Sequence, residues 1–386
     1  MPLTLEYLLT AIAWLLAGLV PLIGVSLLLG WLINMPLRRA ENARFFLDLL
    51  NVGMRSGRTP EESIVSLSRT GDRDLGGRFH LVAAFLQSGA TLIQAIERAP
   101  RLLPPQIVAL LKIGEELGDF SRIMPTAQAM LKDGDSGVRK SKDYLIILAF
   151  VVTPASVMMM MFTSLHVLPK YEGIFADLFG DVAYQSSILL LFVRLQWIWI
   201  ASQLALLLII WTGVLLYFIN PRSSSWEGTR LAEFCAAIHF RISWKRKRMQ
   251  RDFSAALGLL LDAGVPEKNA LPLAGDCSAN LKFIRIVRQC AERLARGARL
   301  GDAIKPLDPT GQFQWRLENA EAGGADFQRA LESWREELDT KAFQQEHAFT
   351  QAFSSGLVLW NGLIVGSLAF AVFDFLSKSI TSPVLW

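Results

Sequence analysis

The chain has 386 residues, of which 52% are hydrophobic, and its mean hydropathy is positive. So apolar a composition excludes an ordinary soluble protein, and the length allows two or three domains. The net charge of +4 is mild and calls for no nucleic-acid partner. The cysteines, Cys235, Cys277 and Cys290, match no zinc pattern, so we expect reduced structural thiols and neither metal nor cofactor.

Four long apolar segments divide the chain, at residues 7–34, 144–169, 186–220 and 348–377. Each is long enough for a transmembrane helix, which needs about 20 apolar residues. The first segment has no basic start and ends at Arg38 and Arg39 rather than at a cleavage site. We therefore interpret it as a retained span and not as a signal peptide.

Two polar regions, residues 40–143 and 221–347, lie between these segments. Their apolar residues recur at helical spacing, as at Phe46, Leu49 and Leu50, and no run alternates with period two. The sequence thus predicts an all-α membrane protein with two cytoplasmic helical bundles. Basic residues flank the bundles, so the positive-inside rule places both termini and the loop 170–185 outside the cytoplasm.

Three sequence blocks occur twice in the same order, which indicates an internal duplication. The block FLDLLNVGMRSG at 46–57 has the frame of FSAALGLLLDAG at 253–264, and LQSGATLIQAI at 86–96 that of LARGARLGDAI at 294–304. IGEELGDF at 113–120 corresponds to NAEAGGADF at 319–327 with one inserted residue. All six blocks are polar-region sequence, so we expect the duplication to be cytoplasmic.

Paired glycines end the repeated blocks and are predicted to be helix C-caps, because glycine adopts positive φ without strain. They are Gly57, Gly89 and Gly118 in the first repeat and Gly264, Gly297 and Gly324 in the second.

Acidic residues beside the repeated turns are the candidates for partner binding: Glu115, Glu116, Asp119 and Glu321. Glu115 has two open interpretations. It is a partner-facing or ion-binding carboxylate, or, as we favour, a helix-terminal acid capping backbone N–H groups. The basic run Arg241–Arg251 is expected to lie along anionic lipid headgroups rather than to bind nucleic acid.

The sequence contains no recognisable catalytic motif. His80, His166, His239 and His347 are widely separated, and no phosphate-binding Gly-x-x-x-x-Gly-Lys-Ser/Thr loop occurs. We expect a non-enzymatic protein with no catalytic, cofactor-binding or metal-binding residues.

The repeated motifs resemble the inner-membrane platform protein of type II secretion and type IV pilus assembly, the general secretion pathway protein F family. The likeness rests on the Phe-led helix ending in Ser/Ala-Gly, on Gly-x-x-Leu-x-x-Ala-Ile, on Gly-Glu-x-x-Gly, and on VLPKYEGIFADLF at 167–179. Members of that family have three spans, so 7–34 is extra.

This resemblance implies two bundles of about six helices each and an inner-membrane location. It also implies four kinds of partner: a cytoplasmic assembly ATPase, pilin or pseudopilin subunits, other inner-membrane assembly proteins, and further copies of the chain. The alternative is a secondary transporter with duplicated halves. Transporter repeats lie in the membrane spans, whereas the repeated blocks of this chain lie in its polar regions.

Overall fold

The structure is a computed structural model that describes residues 43–68, 76–99, 102–131, 153–167, 169–170, 188–218, 230–324 and 326–381, with Gly24 and Gly173 as isolated positions. Every regular element within these residues is a helix, which confirms the all-α class. The predicted span 7–34, apart from Gly24, and most of the loop 170–185 lie outside them.

The chain forms two compact units. One unit comprises Met1–Ile33, Arg139–Leu216 and Ala348–Trp386, which include the apolar segments, and we call it the apolar unit. The other comprises Asn34–Val138 and Tyr217–His347, which include both polar regions, and we call it the polar unit.

The first repeat contains six described helices. They are α1 (residues 43–55), α2 (Pro60–Ser68), α3 (Gly76–Gln87), α4 (Leu92–Arg98), α5 (Pro105–Leu117) and α6 (Phe120–Leu131). Reciprocal side-chain caps start two of them: Thr59 with Glu62 at α2, and Thr91 with Gln94 at α4. Each pair satisfies two backbone N–H groups that lack a partner inside the helix, which defines where the helix begins.

Two helices of the apolar unit follow in the chain. They are α7 (Thr153–Phe162), which continues into a π-helical turn at Thr163–Val167, and α8 (Ile188–Phe218). The second repeat then provides α9 (Arg230–Arg241), α10 (Ser243–Asp262), α11 (Glu267–Asp276), α12 (Leu281–Ala295), α13 (Leu300–Ala303), α14 (Gln312–Ala322) and α15 (Phe327–Thr381).

Among the described residues, one helix is long and apolar enough to cross a membrane, the stretch Phe327–Asp374 in α15. A shorter apolar stretch, Trp197–Gly213, lies in α8. Within the apolar unit, the Ser156 hydroxyl of α7 donates to Oδ1 of Asn361 in α15 at 2.6 Å. The prediction of four spans stays a prediction.

Helices α1–α6 and α10–α15 have the same order, so the two repeats share one helical plan. Phe46 and Phe253, the equivalent first aromatic residues of the two repeats, are both fully buried. The repeats also pack together inside the polar unit, where α5 contacts α11 and α10 contacts α5 and α6. Their buried apolar residues form one continuous core.

The repeats differ in the acceptor that their equivalent arginines contact. In the first repeat, the Arg44 guanidinium donates to the carbonyl of Leu131 at the end of α6. The equivalent arginine in the second repeat, Arg251, meets the carboxylate of Asp339 at 2.7 Å. The acceptor is thus a backbone carbonyl in the first repeat and a side-chain carboxylate in the second.

Candidate partner-binding surface

The turn between α5 and α6 presents the acidic candidates of the first repeat. Gly118 ends α5 with φ of +68°, and its N–H donates to the carbonyls of Glu115 and Gly114. A Cβ at Gly114 would lie 2.6 Å from Ile123 and 2.9 Å from Phe120, so only glycine permits this close packing of α5 on α6. The tight turn holds the acids that flank it at the surface.

The acids at this turn have different roles. Glu115 and Glu116 are exposed, and no described residue donates a hydrogen bond to either carboxylate. Asp119 caps α6, because its Oδ1 accepts from the backbone N–H of Ser121 at 2.9 Å. The interpretation of Glu115 as the capping acid is therefore wrong. A carboxylate in the last turn of α5 faces free carbonyls rather than free N–H groups, which is why it cannot cap.

The equivalent turn in the second repeat contains the inserted residue. Helix α14 ends at Ala322, and Gly324 has φ of +89°. Asp262, at the end of α10, accepts from the N–H groups of Phe327 and Gln328 at 2.8 and 2.9 Å. The start of α15 is thereby fastened to α10 by a carboxylate from outside the turn.

Glu321 lies in this second turn among other acids. Burial raises the pKa of its carboxyl group above the ordinary value, and the nearby carboxylates of Glu267 and Glu318 raise it further. Three of the four candidates therefore lie at the turn after α5, and Glu321 lies beside the equivalent turn of the second repeat.

The six glycines predicted to end helices all have positive φ, between +68° and +94°. At positive φ the Cβ of any other L-residue lies too close to the backbone carbonyl, so these positions favour glycine.

Five charged side chains that sequence reasoning did not connect form ion pairs in the polar unit. Arg248 contacts Glu346 at 2.6 Å, and the Glu346 side chain is only 2% exposed. Arg251 contacts both Asp252 and Asp339. The prediction that Arg241–Arg251 lies along lipid headgroups is therefore wrong for Arg248 and Arg251, because their guanidinium groups are engaged within the protein.

A spacing in the sequence could have indicated these ion pairs. Arg248 and Arg251 share one face of α10, and Asp339 and Glu346 share one face of α15, at spacings of three and seven residues. The sequence alone does not show that side chains of α10 and α15 contact each other. In the described residues, no group of three or more His, Cys, Asp or Glu side chains is placed to hold a metal ion.

The fold and these surfaces define a class: an all-α protein with a duplicated helical domain and an apolar helix long enough to cross a membrane. The family model of type II secretion system protein F matches residues 46–167 and 253–374. The two matches cover more than half of the chain, which therefore belongs to the type II secretion system protein F family. A comparison with curated proteins finds no match.

The two family matches correct one expectation about the duplication. Both have the same length and are offset by 207 residues at each end, from 46 to 253 and from 167 to 374. Each match continues past its bundle into an apolar segment, 144–167 or 348–374. The repeated unit is thus a bundle followed by an apolar helix, and the duplication is not confined to the polar regions.

Proposed function

We propose that the chain is a non-enzymatic inner-membrane platform of a type II secretion or type IV pilus-like machine. It couples a cytoplasmic assembly ATPase to the polymerisation of pilin or pseudopilin subunits. The observation that carries this proposal is the double match to type II secretion system protein F, which spans both repeats. The absence of a phosphate-binding loop from the sequence supports the assignment of ATP hydrolysis to a partner.

In this mechanism the polar unit is cytoplasmic and receives the motor, while the apolar helices contact the subunits that are being assembled. The acids at the turn after α5 are suited to motor docking because Glu115 and Glu116 are exposed and make no hydrogen bond within the described protein. A charged surface of this kind steers a partner of opposite charge and sets its orientation. Self-association and contacts with other inner-membrane assembly proteins belong to the same proposal.

One argument against the transporter alternative does not hold. Because the repeated unit includes an apolar helix, the location of the duplication no longer separates a platform from a transporter. The family match separates them instead, because its description concerns secretion.

The docking surface can be tested by capture of the partner ATPase with the purified full-length chain. Glu115→Lys/Glu116→Lys reverses two exposed charges without removing the Asp119 cap of α6. We expect the variant to capture at least about tenfold less ATPase, because like charges placed against a binding partner cost several kcal/mol.

A matched control, Glu292→Lys/Glu332→Lys, makes the same change in net charge at exposed positions on α12 and α15. Both variants should insert and resist protease as the wild type does, since exposed substitutions usually change stability by less than about 0.5 kcal/mol. Equal capture by the two variants would reject the turn after α5 as the docking surface.

A further inference from the structure

A groove between α9 and α12 combines positive charge with an apolar wall. It has a volume of about 710 Å³, and Arg230, Lys282 and Arg285 contribute its basic side chains. Glu233 is the acid among its lining residues and pairs with Arg285 at 2.8 Å. Three cations against one carboxylate leave the groove with a formal charge of +2.

The apolar wall of the groove is open to solvent. Phe234 is 58% exposed, and Ala237 and Ile286 line the groove beside it. Lys282 lies with its ammonium 5.0 Å from the centre of the Phe240 ring, which orients the lysine by a cation–π contact. An exposed aromatic ring next to cations favours a ligand that is anionic at one end and apolar at the other.

The charges are absent from the equivalent helix of the first repeat. Helix α12 contributes Lys282 and Arg285 to the groove, whereas α3 contains Arg78 as its one basic side chain apart from histidine. The two helices bury equivalent apolar residues, for example Val287 and Phe79. Because one repeat folds the same helix without the charges, folding does not require them, and binding is the better explanation.

We propose that this groove binds an anionic phospholipid. Arg230, Lys282 and Arg285 hold the phosphate, and the part of the acyl chains nearest the headgroup packs against Phe234. The chain order favours lipid over an acidic protein, because Arg230 follows the apolar helix α8 after only residues 219–229. Basic clusters next to a membrane helix are typical sites for anionic headgroups. This inference is independent of the platform function and assigns the lipid to α12, whereas the sequence had placed it on α10.

The test is binding of phosphatidylglycerol to the full-length chain in a neutral detergent, measured by native mass spectrometry. Arg230→Gln/Lys282→Gln/Arg285→Gln removes the three cations of the groove. We expect about 100-fold weaker binding, because each cation near an anionic headgroup contributes roughly fivefold. The control Arg293→Gln/Arg296→Gln/Arg299→Gln removes the same charge from exposed positions outside the groove, and should weaken binding by less than about fivefold.

Other ligands distinguish binding of an anionic lipid from binding of a neutral lipid or of free phosphate. Phosphatidylcholine should bind at least about tenfold more weakly than phosphatidylglycerol to the wild type, and inorganic phosphate at millimolar concentration should not displace the lipid. Phe234→Ser should weaken lipid binding but leave the weak binding of glycerol phosphate unchanged. Slow thiol labelling of the buried Cys235 and Cys290 in every variant checks that the bundle is folded.

Several outcomes would overturn the proposal. Equal losses in the two triple variants would show diffuse attraction rather than a groove, and unchanged binding in the groove variant would exclude the site. Phosphatidylcholine binding as tight as phosphatidylglycerol would exclude recognition of the anion. Displacement by free phosphate would identify a phosphate site instead of a lipid site.

Discussion

The Asn280 side chain forms hydrogen bonds with both α12 and α9. Replacing it tests how much these bonds contribute to the stability of the second repeat. Its side-chain oxygen accepts from the N–H groups of Lys282 and Phe283 at 3.0 and 3.1 Å, which caps α12. Its amide nitrogen donates to the carbonyl of Ala236 in α9 at 3.1 Å. The residue is 2% exposed, so water cannot replace either interaction.

The expected loss in free energy of unfolding follows from these two interactions. Asn280→Ala loses an N-cap, which costs about 0.5–2 kcal/mol. It also loses the second hydrogen bond to the Ala236 carbonyl, which costs about 0.5–1.5 kcal/mol because this carbonyl keeps its partner within α9. We expect a total of about 1–3.5 kcal/mol. Asn280→Ser retains an uncharged capping oxygen and loses the donor to Ala236, so it should cost less than the alanine variant.

Thiol labelling of the native cysteines measures this loss in the full-length chain. Cys235 in α9 and Cys290 in α12 are buried, and burial raises the pKa of Cys290 to about 11, so both should label slowly at pH 8. A cost near 2 kcal/mol should accelerate labelling of Cys235 by about 30-fold, because labelling requires local opening. Gln289→Ala, an exposed change on the same helix, is the control. Unchanged labelling of Cys235 in Asn280→Ala would refute the reasoning.

Two further predictions concern the turns. Gly57→Val and Gly264→Val should each lower stability by about 1–2 kcal/mol, since φ is +76° and +79° at these positions, whereas Gly77→Val, at an open helical position, should cost less; equal melting temperatures for all three variants would contradict this. Glu321→Gln should raise the melting temperature at pH 7, and the gain should disappear as the pH falls below 4.5. The folded-state pKa of Glu321 is raised, so folding favours its protonated form and is opposed above that pKa; a gain that persists at pH 4 would show another cause.

The repeat and the helical class were predictable because both are local properties of the sequence. Apolar spacing around Phe46 and Phe253 and the shared Gly-x-x-Leu-x-x-Ala-Ile block are visible without a structure. The family prediction is confirmed by the double match. The ion pair of Arg248 with Glu346 was not predictable, because it joins residues 98 positions apart whose helices must first be packed.

The failed interpretation of Glu115 has a similar cause. The sequence shows an acid beside a glycine turn but not which side of the turn contains the free N–H groups. The structure ends α5 at Leu117, so Glu115 precedes the turn and Asp119 follows it. A shift of four residues decides which acid caps a helix and which is left at the surface.

The most direct test of the platform function is deletion of the chain in its host, followed by measurement of filament or pseudopilus assembly and of protein secretion. We expect both to be lost, and to be restored by the wild-type chain. The partner ATPase and the pilin subunits should remain at normal levels, since the chain serves assembly rather than their synthesis. Assembly that continues without the chain, while the ATPase and the pilins are present, would contradict the proposed function.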